Sequence, residues 1–195
     1  MDWRNTQTRY GAIAKTLHWA VAGLFLLSYC SVYYRHWFTE ERSGPWFTFG
    51  NLHRCFGVSI AVFVMLRIIW RLRNPVPHLY PGPKWEHAGA KISHFGLYFF
   101  MIMMPLTGYF GTGAPTDFGW FAIPSFEDSR WFGWISGGSI SFEQWEKPLD
   151  FFHKEIGGAL LVWILIVIHT GAALYHHYYR KNDTLRRILP GRRPH

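Results

Sequence analysis

Residues 156–175 read IGGALLVWILIVIHTGAALY. No Asp, Glu, Lys or Arg occurs in the stretch, and a single histidine, His169, interrupts it. A run of about 20 apolar residues is what a helix needs to cross ~30 Å of hydrocarbon. In lipid the backbone must satisfy its own hydrogen bonds, which excludes an open strand. Three further windows have similar length: 13–33 (IAKTLHWAVAGLFLLSYCSVY), 52–70 (LHRCFGVSIAVFVMLRIIW) and 92–110 (ISHFGLYFFMIMMPLTGYF). The sequence therefore predicts an all-α transmembrane four-helix bundle, a single membrane-embedded domain over residues 1–195. The first span carries Lys15 and His18 and has no clear cleavage site, so it reads as an uncleaved span rather than a signal peptide.

A mean hydropathy of −0.01 hides these spans, because polar connections offset them. Basic residues set the orientation. The N-terminus, the connection after the second span and the C-terminal tail hold 14 Lys and Arg against 3 acidic residues. The first and third connections hold 6 against 9. One face is thus near +11 and the other near −3, which puts both termini in the cytoplasm. The net charge of +8 then marks topology and contact with anionic lipid, and no nucleic-acid partner is expected. Trp19, Tyr33, Trp70, Tyr109 and Tyr175 lie at span ends, as in an aromatic belt.

The connections predict unequal roles. The second is Pro-rich (NPVPHLYPGPKW). The third, 111–152, is about 40 residues long and rich in Gly and aromatics, which predicts a periplasmic cap with a short interfacial helix. The tail KNDTLRRILP predicts another, with Leu185, Ile188 and Leu189 toward the lipid. Cys30 and Cys55 both fall toward the periplasmic side. A disulfide is conceivable, but free thiols are the expectation, and without a CxxCH motif covalent haem is not expected.

Ionisable groups inside membrane spans are costly and functional by default. His18 and His169 lie at the cytoplasmic depth, and His53 and His153 at the periplasmic depth. Depth thus pairs His18 with His169 and His53 with His153. Two imidazoles facing one iron give a six-coordinate, low-spin centre suited to electron transfer, so the four histidines suit two haem b groups. Gly57, Gly157, Gly171, Gly23 and Ala20 flank them, making room for a flat ring or simply for close helix packing.

The chain resembles the bacterial cytochrome b561 family of four-helix di-haem proteins. RYGAIAKTLHW, LHRCFGVSIAVFVMLRIIWRL, ISHFGLYFFMIMMPLTGY and HTGAALYHHYYRKNDTLRRILP carry the resemblance. The last is the most specific, with His169 seven residues before His176–His177; only 111–152 is poorly matched. The resemblance implies haem b, ubiquinone and respiratory electron transfer, and one branch is similar to a superoxide:ubiquinone oxidoreductase.

One departure matters. The family places the two ligands of its last span about 14 residues apart, nearly on one helix face. His153 and His169 are two positions further apart than that, which an ideal helix puts about 160° out of phase. Either a π-bulge near Gly157–Gly158 absorbs the excess, or His153 lies in the turn before the helix, or it is an interfacial residue.

Other residues have defined candidate roles. His94 can hydrogen-bond a haem propionate or a quinone, or be a satisfied buried histidine. His176, on the face of His169, is the candidate quinone ligand, because quinone reduction needs a proton donor. Among Arg67, Arg71 and Arg73, Arg71 is the candidate propionate partner on the cytoplasmic side. Arg54, with Lys154, has that role at the periplasm. His36, His78, His87 and His195 are expected in solvent, and His177 at the interface. The leading function is one-electron transfer between a periplasmic donor, with superoxide the sharpest version, and membrane ubiquinone. A face near −3 does not itself attract an anion. The competing readings are a membrane-anchor cytochrome b subunit of a larger respiratory dehydrogenase and, more remotely, a histidine-lined metal or proton transporter.

Overall fold

The computed structural model describes residues 2–191; Arg192, Arg193 and His195 lie outside the described residues. Helices α1 (Ala12–Phe38), α2 (Gly44–Arg73) and α3 (Lys84–Phe110) are followed by a two-stranded antiparallel hairpin, β1 (Thr116–Asp117) and β2 (Ala122–Ile123). A short α4 (Arg130–Ser136) leads to α5 (Phe142–Phe151), a π-helical segment (Phe152–Leu161) and α6 (Val162–Tyr178). The last three form one helix of 37 residues, Phe142–Tyr178.

Local signals explain the boundaries. Ser43 caps α2, its hydroxyl accepting from the Trp46 amide at 3.3 Å. The helix ends at Asn74, held extended because Pro75 disfavours a helical residue before it. Ser141 and Gln144 form a capping box at the start of α5. That box explains why the last helix begins at 142 rather than at 156, where the apolar run starts. The tail 181–190 is a series of turns rather than the expected helix. It is pinned where Trp19 donates to the Ile188 carbonyl (2.9 Å) and Arg187 to the His78 carbonyl (2.9 Å).

α1, α2 and the 142–178 helix are long and apolar enough to span a membrane. α3 is 27 residues long, about 40 Å at 1.5 Å per residue. Large apolar side chains such as Leu26, Met65, Phe95 and Val167 face outward, as a lipid-embedded bundle requires.

The backbones pack α1 on α2, α2 on α3, and α3 on the π segment and α6. Among the described residues, the backbones of α1 and α2 stay clear of α6 and the π segment. Long side chains bridge the gap: Tyr29 donates to the Gly158 carbonyl (2.9 Å) and the Trp163 indole to the Tyr33 hydroxyl (3.1 Å). The bundle is therefore wide along one side, and that is where the histidines sit.

The third connection does form a cap. Asn51 on α2 donates to the Asp117 carbonyl (2.7 Å) and accepts from the Asp117 amide (2.9 Å). Arg54 Nε donates to the Pro115 carbonyl (3.0 Å). Phe126, buried, stacks among Tyr109, Phe110, Phe132 and Trp145. Cys30 and Cys55 are free thiols, and the Cys55 thiol donates to the Asp117 carbonyl. Asn51→Ala removes two hairpin hydrogen bonds worth about 1 kcal/mol each. Amide exchange across 115–123 should rise roughly tenfold or more, with exchange in the helices unchanged.

Candidate functional site

His153 lies within the helix, in the π segment, not in a turn before it. There the amide of Val162 bonds the carbonyl of Gly157, an i→i+5 step. Each residue in such winding turns by roughly 80–85° instead of 100°. The π segment as a whole therefore loses roughly 160° of phase, which offsets the excess spacing between the two histidines. His153 and His169 consequently share a face. Gly157 makes the segment fit: a Cβ there would overlap the sulfur of Met104 on α3.

On the cap side, the His53 and His153 rings are 6.0 Å apart, centre to centre, with planes at 88°. His53 Nδ1 lies 3.1 Å from the Ser28 carbonyl and 2.9 Å from its hydroxyl. A carbonyl only accepts, so Nδ1 carries the proton and Nε2 is left bare. His153 Nδ1 lies 3.2 Å from the Thr107 hydroxyl, which donates its own proton to the Met103 carbonyl (2.7 Å). Thr107 must then accept, and His153 Nε2 is bare as well. Such outer partners fix the tautomer a metal ligand needs.

Both rings line a cavity of about 780 Å³, within the usual range for cofactor sites. Gly57 lines it too, and a Cβ there would meet open space. Gly108 packs on the ring itself, with a hypothetical Cβ 2.9 Å from His153 Cε1. Arg54 and Lys154 stand at the cavity wall. Arg35, which the sequence placed in a connection, ends α1 and lines the same cavity. Its guanidinium lies 3.8 Å over Trp46, and its buried Nε has no partner.

On the opposite, basic face, His18 and His169 are 6.2 Å apart with planes at 53°. His94 lies 5.6 Å from His169, so three histidines meet where two were expected. Arg67 reaches His18, its guanidinium 2.9 Å from Nδ1. Arg71, the candidate propionate partner, lies with Arg67 against the Tyr98 ring, at 5.5 and 5.6 Å. Arg67 was legible only as a span-end anchor, because its partner sits on a different helix.

His176 stands apart from these rings. Asn182 Nδ2 lies 2.9 Å from its Nδ1. The Asn182 amide oxygen is taken by the Thr184 amide and hydroxyl at 3.1 and 2.7 Å, which fixes the amide orientation. Asn182 therefore donates to His176 Nδ1, and the ring proton sits on Nε2. Asn182 carried no signal in the sequence beyond its place shortly after His176.

Two imidazoles that shared one metal, each bonded at about 2 Å, would have their ring centres about 6 Å apart. Both pairs meet that separation. The cap-side pair also has the required tautomers. The basic-side pair does not, since Arg67 donates to His18 Nδ1 and leaves the proton on Nε2. Ligation through Nε2 requires Arg67 to give up this contact.

The family model for prokaryotic cytochrome b561 matches residues 9–191. Cytochrome b561 homolog 2 of Escherichia coli is 28% identical, covering 97% of this chain and 95% of the relative. A probable superoxide oxidase, CybB, of Yersinia pestis is 29% identical over 95% of this chain and 98% of its own. Cytochrome b561 homolog 1 of Escherichia coli is 26% identical, with 91% and 94% covered. Gly108→Ala forces the His153 ring to shift or the helices to part, at a cost of about 1–3 kcal/mol. A fall in melting temperature is the expected readout.

Proposed function

Because the chain belongs to the prokaryotic cytochrome b561 family, an inner-membrane family that carries haem b, we propose that it is a di-haem cytochrome moving single electrons from a periplasmic donor to ubiquinone. The observation that carries this reading is the pair of ring separations, 6.0 and 6.2 Å, across helices whose backbones stay apart. In it, His53 and His153 hold one haem b, and His18 and His169 the other. When bound, haem b would supply one-electron redox chemistry. The protein supplies position and electrostatics.

The basic face is taken as cytoplasmic, by its Lys and Arg excess. Arg35 and Arg54 then offer cations to propionate carboxylates at the periplasmic cavity, and the orphan Nε of Arg35 supports that role. Arg67 is the cytoplasmic counterpart, released from His18 when it meets an anionic partner. His94 supports the cytoplasmic group from beside His169.

His176 is the proposed quinone residue. Its Nε2–H, oriented by Asn182, suits donation to a quinone carbonyl oxygen. Quinol formation takes up two electrons and two protons; the Nε2–H hydrogen bond would hold and polarise that oxygen while the protons come from water at the cytoplasmic face. The name of the Yersinia relative supports superoxide as the donor, each superoxide giving one electron and leaving as dioxygen. At the cavity Arg35, Arg54 and Lys154 face Glu146, Asp150 and Glu155, with Lys154 paired to Asp150, so the local charge is balanced and Arg35 and Arg54 are the cations left to meet an anion.

The purified protein should show low-spin b-type Soret and α bands, and superoxide should reduce them in stopped flow, with reoxidation by ubiquinone. No low-spin band ends the cytochrome reading, and no reduction by superoxide discards that donor alone. Asn182→Leu should lower quinone reduction roughly tenfold, with haem content and superoxide reduction unchanged. Equal quinone turnover in that variant would remove His176 from the quinone step.

A further inference from the structure

A second groove opens on the basic face, between α1 and α2 and away from every histidine. Its volume is about 390 Å³. Ile13 and Leu17 form one wall, and Leu66 and Ile69 the other. Leu66 and Ile69 are also exposed on the outer surface of the bundle. At the helix-end rim stand Arg4, Arg73 and the ring of Trp70.

Arg4 is brought there by a built connection, not by proximity in sequence. Asn5, buried, donates to the Pro75 carbonyl (3.1 Å) and accepts from the Gly11 amide (2.9 Å). The Ala12 amide bonds the Asp2 carbonyl (2.9 Å) and the His78 amide the Gln7 carbonyl (2.8 Å). The N-terminal strap is thus tied across the end of α2, with Arg4 over the groove. None of the ion pairs among the described residues involves Arg4 or Arg73. The Trp70 indole N–H is buried without a partner, and a buried indole N–H ordinarily finds one.

The groove is therefore graded: hydrocarbon walls in the bundle's outer surface, then two cations outside those ion pairs at the helix ends. We infer that it binds one anionic phospholipid, its phosphate held by Arg4 and Arg73 and its chains against Ile13, Leu17, Leu66 and Ile69. Anionic headgroups are attracted by basic side chains at a membrane surface. A zwitterionic lipid brings its own cation close to the two arginines and fits less well. The strap makes the site depend on residues far apart in the chain, so a lipid bound there also fastens the N-terminus to α2.

Native mass spectrometry of the haem-loaded full chain, released from phosphatidylglycerol or phosphatidylcholine nanodiscs, tests this. One phosphatidylglycerol per chain should survive detergent exchange, in clear preference to phosphatidylcholine. Arg4→Gln/Arg73→Gln should weaken retention roughly 30-fold. Arg186→Gln, an exposed arginine paired with Asp183, should leave it unchanged. An unaltered Soret band shows that each variant is folded, and Arg4→Gln alone, outside every helix, should give an intermediate loss. Equal losses in Arg186→Gln, equal retention of both lipids, or displacement of the lipid by millimolar inorganic phosphate would each overturn the assignment.

Discussion

The winding of residues 152–161 is the constraint on which the site depends. An unbroken α-helix from 142 to 178 would turn His153 about 160° from His169, toward lipid. The π winding removes that difference, and its conditions are written into neighbouring helices. Gly157 admits Met104, Tyr29 reaches across from α1 to the Gly158 carbonyl, and Thr107 takes the His153 proton. Wide turns of this type recur at functional sites because they cost stability and persist only where the surroundings hold them. Here side chains from two neighbouring helices do so.

A second consequence of the packing is room. Membrane helices ordinarily approach closely through small residues, yet α1 and the last helix are held apart by tyrosine and tryptophan bridges. A flat group has space only where backbones do not meet, and both histidine pairs cross such gaps. The two sides differ in readiness. The cap-side rings have their proton positions set by Ser28 and Thr107. On the basic side Arg67 occupies the polar position beside His18, so that pair is completed only when Arg67 finds an anion elsewhere. The same logic of fixed proton position extends to His176 through Asn182.

Much of this is legible from residue type and depth. The apolar runs mark the spans, and the basic residues separate two faces. The position of each histidine along its span then sorts the pairs, and the excess spacing between His153 and His169 marks a conflict that a π distortion at Gly157–Gly158, a turn before the helix or an interfacial His153 would each resolve. The extent of the π winding is not legible, because it begins well before those glycines and depends on Met104 and Tyr29, which lie on other helices. The start of the last helix escapes for a related reason. α5 is amphipathic and polar, so hydropathy passes over it, although the Ser141–Gln144 capping box marks it. Arg67, Arg35 and Asn182 carry no assignment in one dimension because the fold sets their partners: His18, Trp46 and His176. The hairpin on α2 is equally invisible, since Asn51 and Asp117 meet only once the chain has folded back across two helices.

In the proposed assignment the π winding makes His153 the partner of His53 and so creates a second haem site. Haem stoichiometry of His153→Ala, by pyridine haemochrome against protein mass, tests it most directly. The variant should hold about one haem per chain against about two in the native protein, with the remaining low-spin spectrum intact. Retention of about two low-spin haems by the variant would contradict the assignment.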